Sequence, residues 1–599
     1  MASFLEDKDS EKMIVAAIDF GTTYSGYAFA FRNDYANDAL RIQGNTWNSG
    51  SRVGISLKTP TCALFTPEQK FHSFGFEAED KYADLAIDDE HHDWYYFRRF
   101  KMMLYNNPHI SRQSTIEDDK GKLMNALEVF SAIIFYLREH MLRAMHARSI
   151  SEGVQDDEVH WVLTVPAIWS DQAKQFMREA AKKAGIRSDQ LDIALEPEAA
   201  SIYCKHIPVG KRGQELCQAG EDIAGLEAIC PGTKYLVLDA GGGTIDITVQ
   251  EVQGDGSLHQ VYMANGGDWG GTKVDEAYEE FLIELVGPQV WDRFKMENRD
   301  AYLDIVREFE IKKRTITPEI DQKITFKVPI ALNEVYQDMR GEELRLSVSE
   351  GRRGRKMAWI GDKLRVDASE AKKLFETACG AIVEHVERIF EQEDAAGTSI
   401  ILMVGGFSES PMLRHAVRER FGSRKRIIIP QDAGLSVLKG AVLFGFDTRV
   451  ISTRVMKHTY GIQTSKKFRQ EDPESRKTVK KGIVYCNDKF SNHVARGQSV
   501  NIGEATEYHD YFPLTDEQTR LALRVFTSER AKPKYCETQN CTYIGKMLVD
   551  LPMNLPESDR GVSVRLRFGG TELSVEATVK KTEQTTNAQF DFGVLETGK

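Results

Sequence analysis

One short pattern occurs twice in this sequence and limits the folds open to the chain more than any other feature. An aspartate followed by a glycine turn comes after an apolar run in Ile18-Asp19-Phe20-Gly21-Thr22-Thr23, and again in Leu238-Asp239-Ala240-Gly241-Gly242-Gly243-Thr244. Glycine turns leave backbone N–H groups open to an anion, and an aspartate at a strand end can hold a hydrated Mg²⁺ over phosphates. The duplication therefore predicts two related lobes that clamp a nucleotide between them.

A third glycine turn, Gly405-Gly406-Phe407, follows the predicted strand that ends at Met403-Val404. Each turn alone is a weak signal, because a run of glycines is more commonly just a tight connection. Neither a GxxxxGK[ST] phosphate loop nor a GxGxxG dinucleotide pattern is present. The prediction of a nucleotide site thus depends on the duplication.

Strand and helix signals alternate over about the first 450 residues, which favours an α/β fold. Ser170 is placed to cap a helix that Gly185 ends. Asp367 and Glu370 are spaced as a capping box before a helix that runs to about Phe390. Two polar segments, 205–233 and 333–362, interrupt the pattern and are interpreted as insertions.

The apolar period changes to two after about Arg449. Alternating apolar residues at 562–568 and 573–579 flank Gly569-Gly570, which predicts a β-hairpin with a glycine turn. We expect the last 140 residues or so to form an antiparallel β module.

Charge and cysteine usage exclude several classes of protein. Among 599 residues, 78 are basic and 90 acidic, a net charge of −12, which argues against a general nucleic-acid footprint. No apolar run approaches the roughly 20 residues of a membrane span, and the acidic N-terminus is unlike a signal peptide. Eight scattered cysteines without a CxxC pair indicate a reducing compartment, so we expect a cytoplasmic or nuclear protein.

Each of three further groups of residues allows a structural and a functional interpretation. Cys379 is expected to be a small core residue. Cys536 with Cys541 could pair or hold a metal, a minority interpretation without a second pair nearby. His91-His92-Asp93 could be a metal site, but its acidic surroundings favour a surface role.

Seven motifs in order carry a family resemblance. They are DFGTTYSGYAF, VLTVPAIWS, LEPEAASIY, LDAGGGTIDITV, FEIKKRTI, MVGGFSESPMLR and IIIPQDAGLSVLKGAV. This order resembles the ATPase domain of the 70-kDa heat-shock proteins (Hsp70), in the actin, hexokinase and heat-shock superfamily. The motif variations are most like the divergent heat-shock 70-kDa protein 12 branch.

The resemblance implies an α/β fold: an actin-like two-lobed ATPase with duplicated RNase H-like lobes, then an antiparallel β-sandwich. It implies a tail at 1–12 and a nucleotide-binding domain at 13–447. Lobe I is about 13–200 with a subdomain at 50–122, and lobe II about 201–447 with a subdomain at 270–362. A linker at 448–457 and a β-sandwich like the family's substrate-binding domain at 458–599 follow, with neither the family's helical lid nor its acidic, leucine-rich linker sequence.

The resemblance also implies roles for individual residues. Asp19 and Asp239 would bind Mg²⁺ through its waters, and Glu196 and Asp246 would orient that ion and the attacking water. Thr22, Thr23 and Tyr24, after Gly21, would wrap the β- and γ-phosphates from one lobe, and Gly241, Gly242, Gly243 and Thr244 from the other. The adenosine pocket would be formed by Glu310, Lys313, Arg314 and Thr317 on one wall and Gly405, Gly406, Phe407 and Asp432 on the other, with the pair Gly270 and Gly271 at the lobe junction.

The family's catalytic lysine follows a phenylalanine in a first-lobe loop, and Lys101 in YYFRRFKMML matches it best. The local pattern departs from the family, so Arg98 or Arg99 could serve instead. This departure bears on the hydrolysis rate more than on nucleotide binding.

Three functions remain open at this stage. The first is an ATP-dependent, Hsp70-like chaperone that holds extended polypeptide clients and works with a J-domain protein and a nucleotide-exchange factor. The second is a nucleotide-gated interaction or signalling protein with little turnover, suggested by the expected lack of lid and linker. The third is a small-molecule kinase of the same superfamily, which the adenosine motif and the β module disfavour.

Overall fold

The computed structural model describes residues 12–48, 55–107, 109–147, 156–207, 231–350, 356–538, 540–569 and 572–589. Most of the first predicted insertion, and residues 351–355 of the second, lie outside these residues. So do nearly all of the predicted N-terminal tail and the last ten residues. Within the described residues, no helix combines the length and apolarity needed to cross a bilayer.

The first sheet has six strands and is built around the first aspartate–glycine motif. Strand Ile14–Phe20 is buried at every residue, as expected for an apolar run covered on both faces. It pairs antiparallel with one neighbour and parallel with the other. In spatial order the strands are Leu191–Leu195, Val159–Val165, Ile14–Phe20, Tyr24–Phe31 and Gln43–Gly44, with Thr59–Pro60 also paired to Tyr24–Phe31.

The second sheet has seven strands and repeats this arrangement around the second motif. Lys234–Ala240 pairs antiparallel with Ile245–Val252 and parallel with Ile400–Val404, which is itself parallel to Arg426–Ile428. The remaining strands are Leu258–Gly267, Ile451–Val455 and Ser499–Asn501. The same connection order in both sheets agrees with the duplication predicted from the sequence.

Helices surround the two sheets. They are Arg32–Asn37, Phe76–Ile87, Ala126–Ala147, Asp171–Lys183, Glu196–His206, Thr272–Val286, Pro288–Glu297, Arg299–Lys312, Ile330–Arg340, Leu344–Glu350, Ala368–Lys373, Glu376–Phe390, Pro411–Phe421 and Ser436–Phe446. Helices Glu196–His206 and Ser436–Phe446 pack together between the sheets, in one core that takes residues from both. Gly440 permits this approach, because a Cβ there would lie 1.6 Å from the Ala199 carbonyl oxygen.

Smaller strands form the subdomains. They are Trp47–Asn48 with Ile55–Ser56, Cys62–Phe65 with Phe71–Phe74 and Tyr95–Arg98, Thr115–Glu117 with Leu123–Asn125, and Ile324–Lys327 with Met357–Ile360 and Lys363–Val366.

Two predicted helix boundaries can be compared directly. The Ser170 side chain caps helix Asp171–Lys183 by accepting from the Ala173 N–H at 3.2 Å, and Gly185 follows its end with φ 88°, so both predicted signals are confirmed. The single helix predicted from Asp367 to about Phe390 is wrong, since it is interrupted between Lys373 and Glu376.

Only half of the predicted capping box forms at that helix. Asp367 accepts from the Ser369 N–H at 2.9 Å, as an N-cap should. Glu370 instead bonds to the Lys356 and Lys373 ammonium groups, at 2.6 and 2.9 Å, so its carboxylate is taken up by cations rather than by the cap. Cys379 is buried in the lobe II core, as predicted.

The C-terminal residues form two antiparallel sheets that share one apolar core. One sheet has the order Lys477–Lys480, Ile483–Val494, Thr459–Lys467, Arg520–Ser528 and Cys541–Asp550, and the other has the order His509–Tyr511, Val562–Gly569, Glu572–Val579 and Thr585–Gln589. The predicted hairpin is present, with Val562 opposite Val579 and Gly569 opposite Glu572.

The segment predicted as a linker, 448–457, contributes a strand to the lobe II sheet. Ile451–Val455 runs parallel to Leu258–Gly267 and antiparallel to Ser499–Asn501, which lies later in the chain. Arg454 binds the buried Glu198 carboxylate through two nitrogens at 2.7 and 2.6 Å. The lobe II sheet therefore continues into the C-terminal module.

Candidate functional site

A cavity of about 590 Å³ lies where the two aspartate–glycine motifs meet. The two turns face each other so closely that side chains would collide. A Cβ on Gly242 would lie 2.2 Å from the Thr23 hydroxyl, and one on Gly243 would lie 2.7 Å from that of Thr22. Glycine is therefore required at these positions for the two lobes to approach each other. Because glycine has no side chain, backbone groups line the cavity there.

Most residues predicted for the site line this one cavity. They are Asp19, Gly21, Thr22, Thr23, Tyr24, Lys101, Glu196, Asp239, Gly241, Gly242, Gly243, Thr244, Gly271, Glu310, Lys313, Arg314, Gly405, Gly406, Phe407 and Asp432. The structure thus brings together motifs that are up to about 400 residues apart in sequence.

Three predicted residues do not line the cavity. Asp246 accepts from the Ile168 N–H at 2.9 Å and bonds the Thr244 side chain, so it supports the turn from beneath. Gly270 donates to the Gly243 carbonyl at 3.2 Å and likewise backs the turn. The Thr317 hydroxyl bonds to Glu319 instead of facing the cavity.

The first aspartate is held by a lysine and a threonine. Asp19 accepts from Lys58 at 2.5 Å and from the Thr164 hydroxyl at 3.0 Å. Burial alone would raise the pKa of Asp19, but the ammonium groups of Lys58 and Lys101 hold it below its usual value. Asp19 is therefore ionised at neutral pH.

Lys101 lies inside the cavity and forms an ion pair with Glu196 at 2.9 Å. Its ammonium group also lies 4.9 Å from the centre of the Trp169 ring. The alternatives to Lys101 point elsewhere: Arg98 donates to the Tyr302 hydroxyl at 2.9 Å and Arg99 to Asp275 at 2.6 Å. Of these three residues, Lys101 is therefore the one that lines the cavity.

Glu196 and the second aspartate have raised pKa values. Burial, with the charges of Asp19 and Asp246, raises the pKa of Glu196 to about 7 in spite of Lys101. Burial and the nearby Glu196, Asp246 and Asp19 carboxylates also raise the pKa of Asp239 well above its ordinary value. Without a cation, protons bound by these two groups relieve the repulsion among the carboxyl groups of the cluster.

This donor set suits a hydrated Mg²⁺. Four carboxyl groups, Asp19, Glu196, Asp239 and Asp246, face the two ammonium groups of Lys58 and Lys101. When ionised, the cluster carries two excess negative charges, which one divalent cation balances. Mg²⁺ prefers carboxylate and water oxygens and keeps several of its waters, so Asp19 and Asp239 could hold it.

The other end of the cavity is lined by one helix end and one glycine turn. Lys313 bonds Asp275 at 2.7 Å and Glu310 at 2.6 Å, and Arg314 bonds Glu310 at 2.7 Å while its guanidinium lies 5.5 Å from the Tyr24 ring centre. A planar base could stack on this cationic surface.

The opposite wall carries Gly405, whose φ is 83° and whose Cβ, if present, would lie 2.3 Å from an Asp239 carboxylate oxygen. Asp432, further along this wall, bonds Lys439 at 2.6 Å. Gly405 thereby lets the third glycine turn close against the second aspartate.

The sequence did not indicate ten further lining residues. They are Ser56, Leu57, Lys58, Phe375, Glu409, Ser410, Gln431, Gly434, Leu435 and Val437. Six of them, Glu409, Ser410, Gln431, Gly434, Leu435 and Val437, lie inside two of the seven motifs but were given no individual role. Lys58 had no sequence signal, because it depends on the pairing of Thr59–Pro60 with the distant strand Tyr24–Phe31.

A second candidate ligand group lies in lobe I, and it contains Asp89 rather than the predicted Asp93. The predicted surface role is wrong for His91, which is buried, whereas Asp89 and His92 are exposed. Among the described residues, one group of histidines and acids brings three possible ligand atoms within 4.8 Å of one another. It consists of Asp89, His91 and His92. The ammonium groups of Lys120 and Lys122 bond the His92 carbonyl at 3.2 and 3.1 Å. These neighbouring positive charges disfavour a bound cation.

The paired sheets and facing glycine turns define a two-lobed, nucleotide-binding α/β fold. Comparison with known proteins agrees: a family model described as Hsp70 protein matches residues 98–347. Human heat shock 70 kDa proteins 12A and 12B are 32% and 34% identical to the chain, over 97% of its length and 91% of theirs. Heat shock 70 kDa protein BIP3 of rice is 24% identical over 86% of the chain and 66% of its own length.

The chain therefore belongs to the Hsp70 family, and the match is to its heat shock 70 kDa protein 12 branch. Membership in the family assigns it an Hsp70-type ATPase domain with an actin-like α/β fold.

Proposed function

We propose that this protein binds Mg·ATP in the cavity between its lobes and hydrolyses it slowly. The observation that carries the proposal is the pair of facing aspartate–glycine turns, with two lysines and four carboxyl groups around one cavity of nucleotide size. The phosphates would lie against Thr22, Thr23 and Gly241–Gly243, and the base against Arg314.

Hydrolysis of a γ-phosphate depends on positioning and charge stabilisation rather than on a strong base. Lys101 would place its ammonium group on the γ-phosphate oxygens, and Glu196, held by Lys101, would orient the attacking water. Backbone N–H groups of the two turns would bind the remaining oxygens. Asp19 and Asp239 would hold Mg²⁺, which would supply charge neutralisation to the phosphates.

We further propose that the protein is an ATP-dependent chaperone whose C-terminal module binds extended polypeptide segments. The five-stranded sheet ends in two edges, Lys477–Lys480 and Cys541–Asp550. An extended peptide could pair with the longer one by strand addition. A J-domain protein and a nucleotide-exchange factor are the expected partners.

Direct contacts could couple this module to the cavity. Glu198, which binds Arg454, lies two residues after Glu196 in the same helix. Lys457 donates to the Ile168 carbonyl at 2.9 Å, and the Ile168 N–H donates to Asp246. Each contact thus links the segment after residue 450 indirectly to an acid of the cavity cluster, through Glu198 to Glu196 and through Ile168 to Asp246.

An ATPase assay with and without apolar peptides tests both parts of the proposal. We expect slow basal turnover that rises with peptide, and loss of ATP binding and turnover in the double variant Asp19→Asn, Asp239→Asn. Unchanged nucleotide affinity and turnover in that variant would show that the site is elsewhere.

A nucleotide-gated interaction protein with little turnover is the second candidate. Its support is segment 448–457, which is basic where the family has an acidic, leucine-rich linker. Arg454 of this segment forms a buried ion pair with Glu198. Tight ATP binding, together with a peptide affinity equal in ATP and ADP, would favour it. ATP consumption that rises with a sugar or polyol would instead indicate a kinase.

A cytoplasmic or nuclear location is also proposed. Its support is that the described cysteines, Cys62, Cys204, Cys379, Cys486, Cys536 and Cys541, are all free thiols. Fluorescence microscopy of the tagged chain would test it, and a signal confined to secretory compartments would contradict it.

A further inference from the structure

Lys58 reaches into the phosphate end of the cavity from a short segment of lobe I. Its ammonium nitrogen lies 2.5 Å from an Asp19 carboxylate oxygen, and its side chain is 18% exposed. It lines the same cavity as Lys101, Glu196 and Asp239. A lysine held this deeply in a cavity loses much side-chain freedom, so its position calls for a compensating interaction.

The sheet geometry directs this lysine to Asp19. Thr59 pairs with Ser25, and in the same sheet Gly26 lies opposite Asp19. A Cβ on Gly26 would lie 3.2 Å from the Lys58 Cγ, so the absence of a side chain at Gly26 leaves room for the lysine stem to cross. The Ser56 hydroxyl donates to the Lys58 carbonyl at 2.5 Å and holds the segment.

Lys58 has donor capacity to spare. An ammonium group has three N–H donors. Among the described residues, the Lys58 ammonium has one hydrogen-bond partner, Asp19, whereas Lys101 is paired with Glu196. Two Lys58 donors are therefore left for a group that enters the cavity, beside the Thr22 and Thr23 turn.

We propose that Lys58 is a second phosphate-binding lysine, which donates to the β- or γ-phosphate oxygens of the bound nucleotide. The inference rests on the proposed function, because it assumes a nucleotide in this cavity. Lys58 and Lys101 would then bind the phosphates from two sides of lobe I, and Asp19 would position Lys58 in the empty cavity.

Calorimetric titration of wild type, Lys58→Met and Lys58→Arg with ATP and with adenosine, both in Mg²⁺, tests this role. If Lys58 contacts phosphate, Lys58→Met should lower ATP affinity by about tenfold to hundredfold, since a charge-assisted hydrogen bond is lost. Adenosine affinity should stay within about twofold, because adenosine lacks the phosphates, and Lys58→Arg should recover most of the ATP affinity.

Lys439→Met provides a matched control, because it removes a lysine–aspartate pair beside the opposite wall. It should leave the ratio of ATP to adenosine affinity unchanged. Thermal unfolding of each variant verifies that it is folded.

Two results would overturn the inference. An unchanged or increased ATP affinity in Lys58→Met would make Lys58 only the counter-ion of Asp19. An equal loss of ATP and adenosine affinity would indicate general damage to the cavity. A wild-type protein that binds neither ligand would instead refute the proposed function itself.

Discussion

The two copies of the aspartate–glycine motif have the same backbone arrangement but opposite electrostatics. Asp19 and Asp239 each end a buried strand and each pair across a hairpin, Asp19 with Gly26 and Asp239 with Asp246. At the position opposite the aspartate, lobe I has a glycine over which Lys58 passes, whereas lobe II has a second acid. The pKa of Asp19 is consequently lowered and that of Asp239 is raised.

The electrostatic difference between the two motifs shows how duplicated lobes can take different parts in binding one ligand. Lobe I supplies both lysines and a stable carboxylate, and lobe II supplies acids whose repulsion a cation would relieve. If both hairpins carried a second acid, the site would need more positive charge to balance its carboxylates. If lysines entered from both hairpins, their charge would repel Mg²⁺. Variants that alter one copy at a time should therefore differ in predictable ways.

The largest expected effect comes from the lobe I cation that faces the γ-phosphate. Lys101→Ala should lower ATP turnover by about 10²-fold while ATP binding is retained, because charge stabilisation in the transition state is lost. Single-turnover hydrolysis and calorimetric binding measure the two quantities separately. Arg99→Ala is the neighbouring control, since its guanidinium binds Asp275 outside the cavity, and a comparable drop there would contradict the assignment.

A pH dependence of stability should follow from Glu196, whose pKa is raised from 4.5 to about 7. Between these pH values the folded protein keeps a proton that the unfolded chain has lost, so stability falls as pH rises, by on the order of 3 kcal/mol. Urea unfolding without nucleotide or Mg²⁺ measures this slope. Glu196→Gln should flatten it, and an identical slope in the variant would rule out Glu196 as its source.

Asparagine substitutions at the two aspartates should shift stability in opposite directions. Asp19→Asn leaves the Lys58 ammonium without its counter-ion and should cost about 2 kcal/mol in the free energy of unfolding. Asp239→Asn removes a carboxylate that is repelled by three others and should stabilise the unliganded protein by about 1 kcal/mol. Thermal unfolding without Mg²⁺ gives both values, and shifts of the same sign would refute the proposed division between the lobes.

The smallest effect should come from the glycine that lets Lys58 pass. Gly26→Ala places a Cβ 3.2 Å from the Lys58 Cγ and should cost about 1 kcal/mol in stability. ATP affinity should fall, but by less than in Lys58→Met. Gly44→Ala in the same sheet is the control, because its nearest contact would be an ordinary 3.9 Å, and equal effects at both positions would contradict the role of Gly26.

Features set by local sequence were predicted well. Ser170 and Gly185 mark the ends of a helix, and the alternating residues around Gly569 form the expected hairpin. The two aspartate–glycine turns were also found from sequence, because the steric need for glycine leaves a visible pattern.

Features set by distant pairing were not predicted. Lys58 reaches Asp19 only because Thr59–Pro60 joins the first sheet, which no local pattern indicates. The helix after Asp367 is interrupted between Lys373 and Glu376, and Glu370 bonds lysines instead of completing a capping box. Asp246 was expected to orient Mg²⁺ and the attacking water and Gly270 to lie at the lobe junction, whereas both residues back the second turn, a position that depends on packing.

The most direct test of this account is calorimetric titration of ATP into the wild-type protein, with Mg²⁺ and with EDTA, repeated on Asp19→Asn, Asp239→Asn. The account predicts one site per chain, tighter binding with Mg²⁺, and loss of the Mg²⁺ effect in the double variant. Absence of ATP binding by the wild type in both conditions, or a Mg²⁺ effect that survives in the double variant, would contradict it.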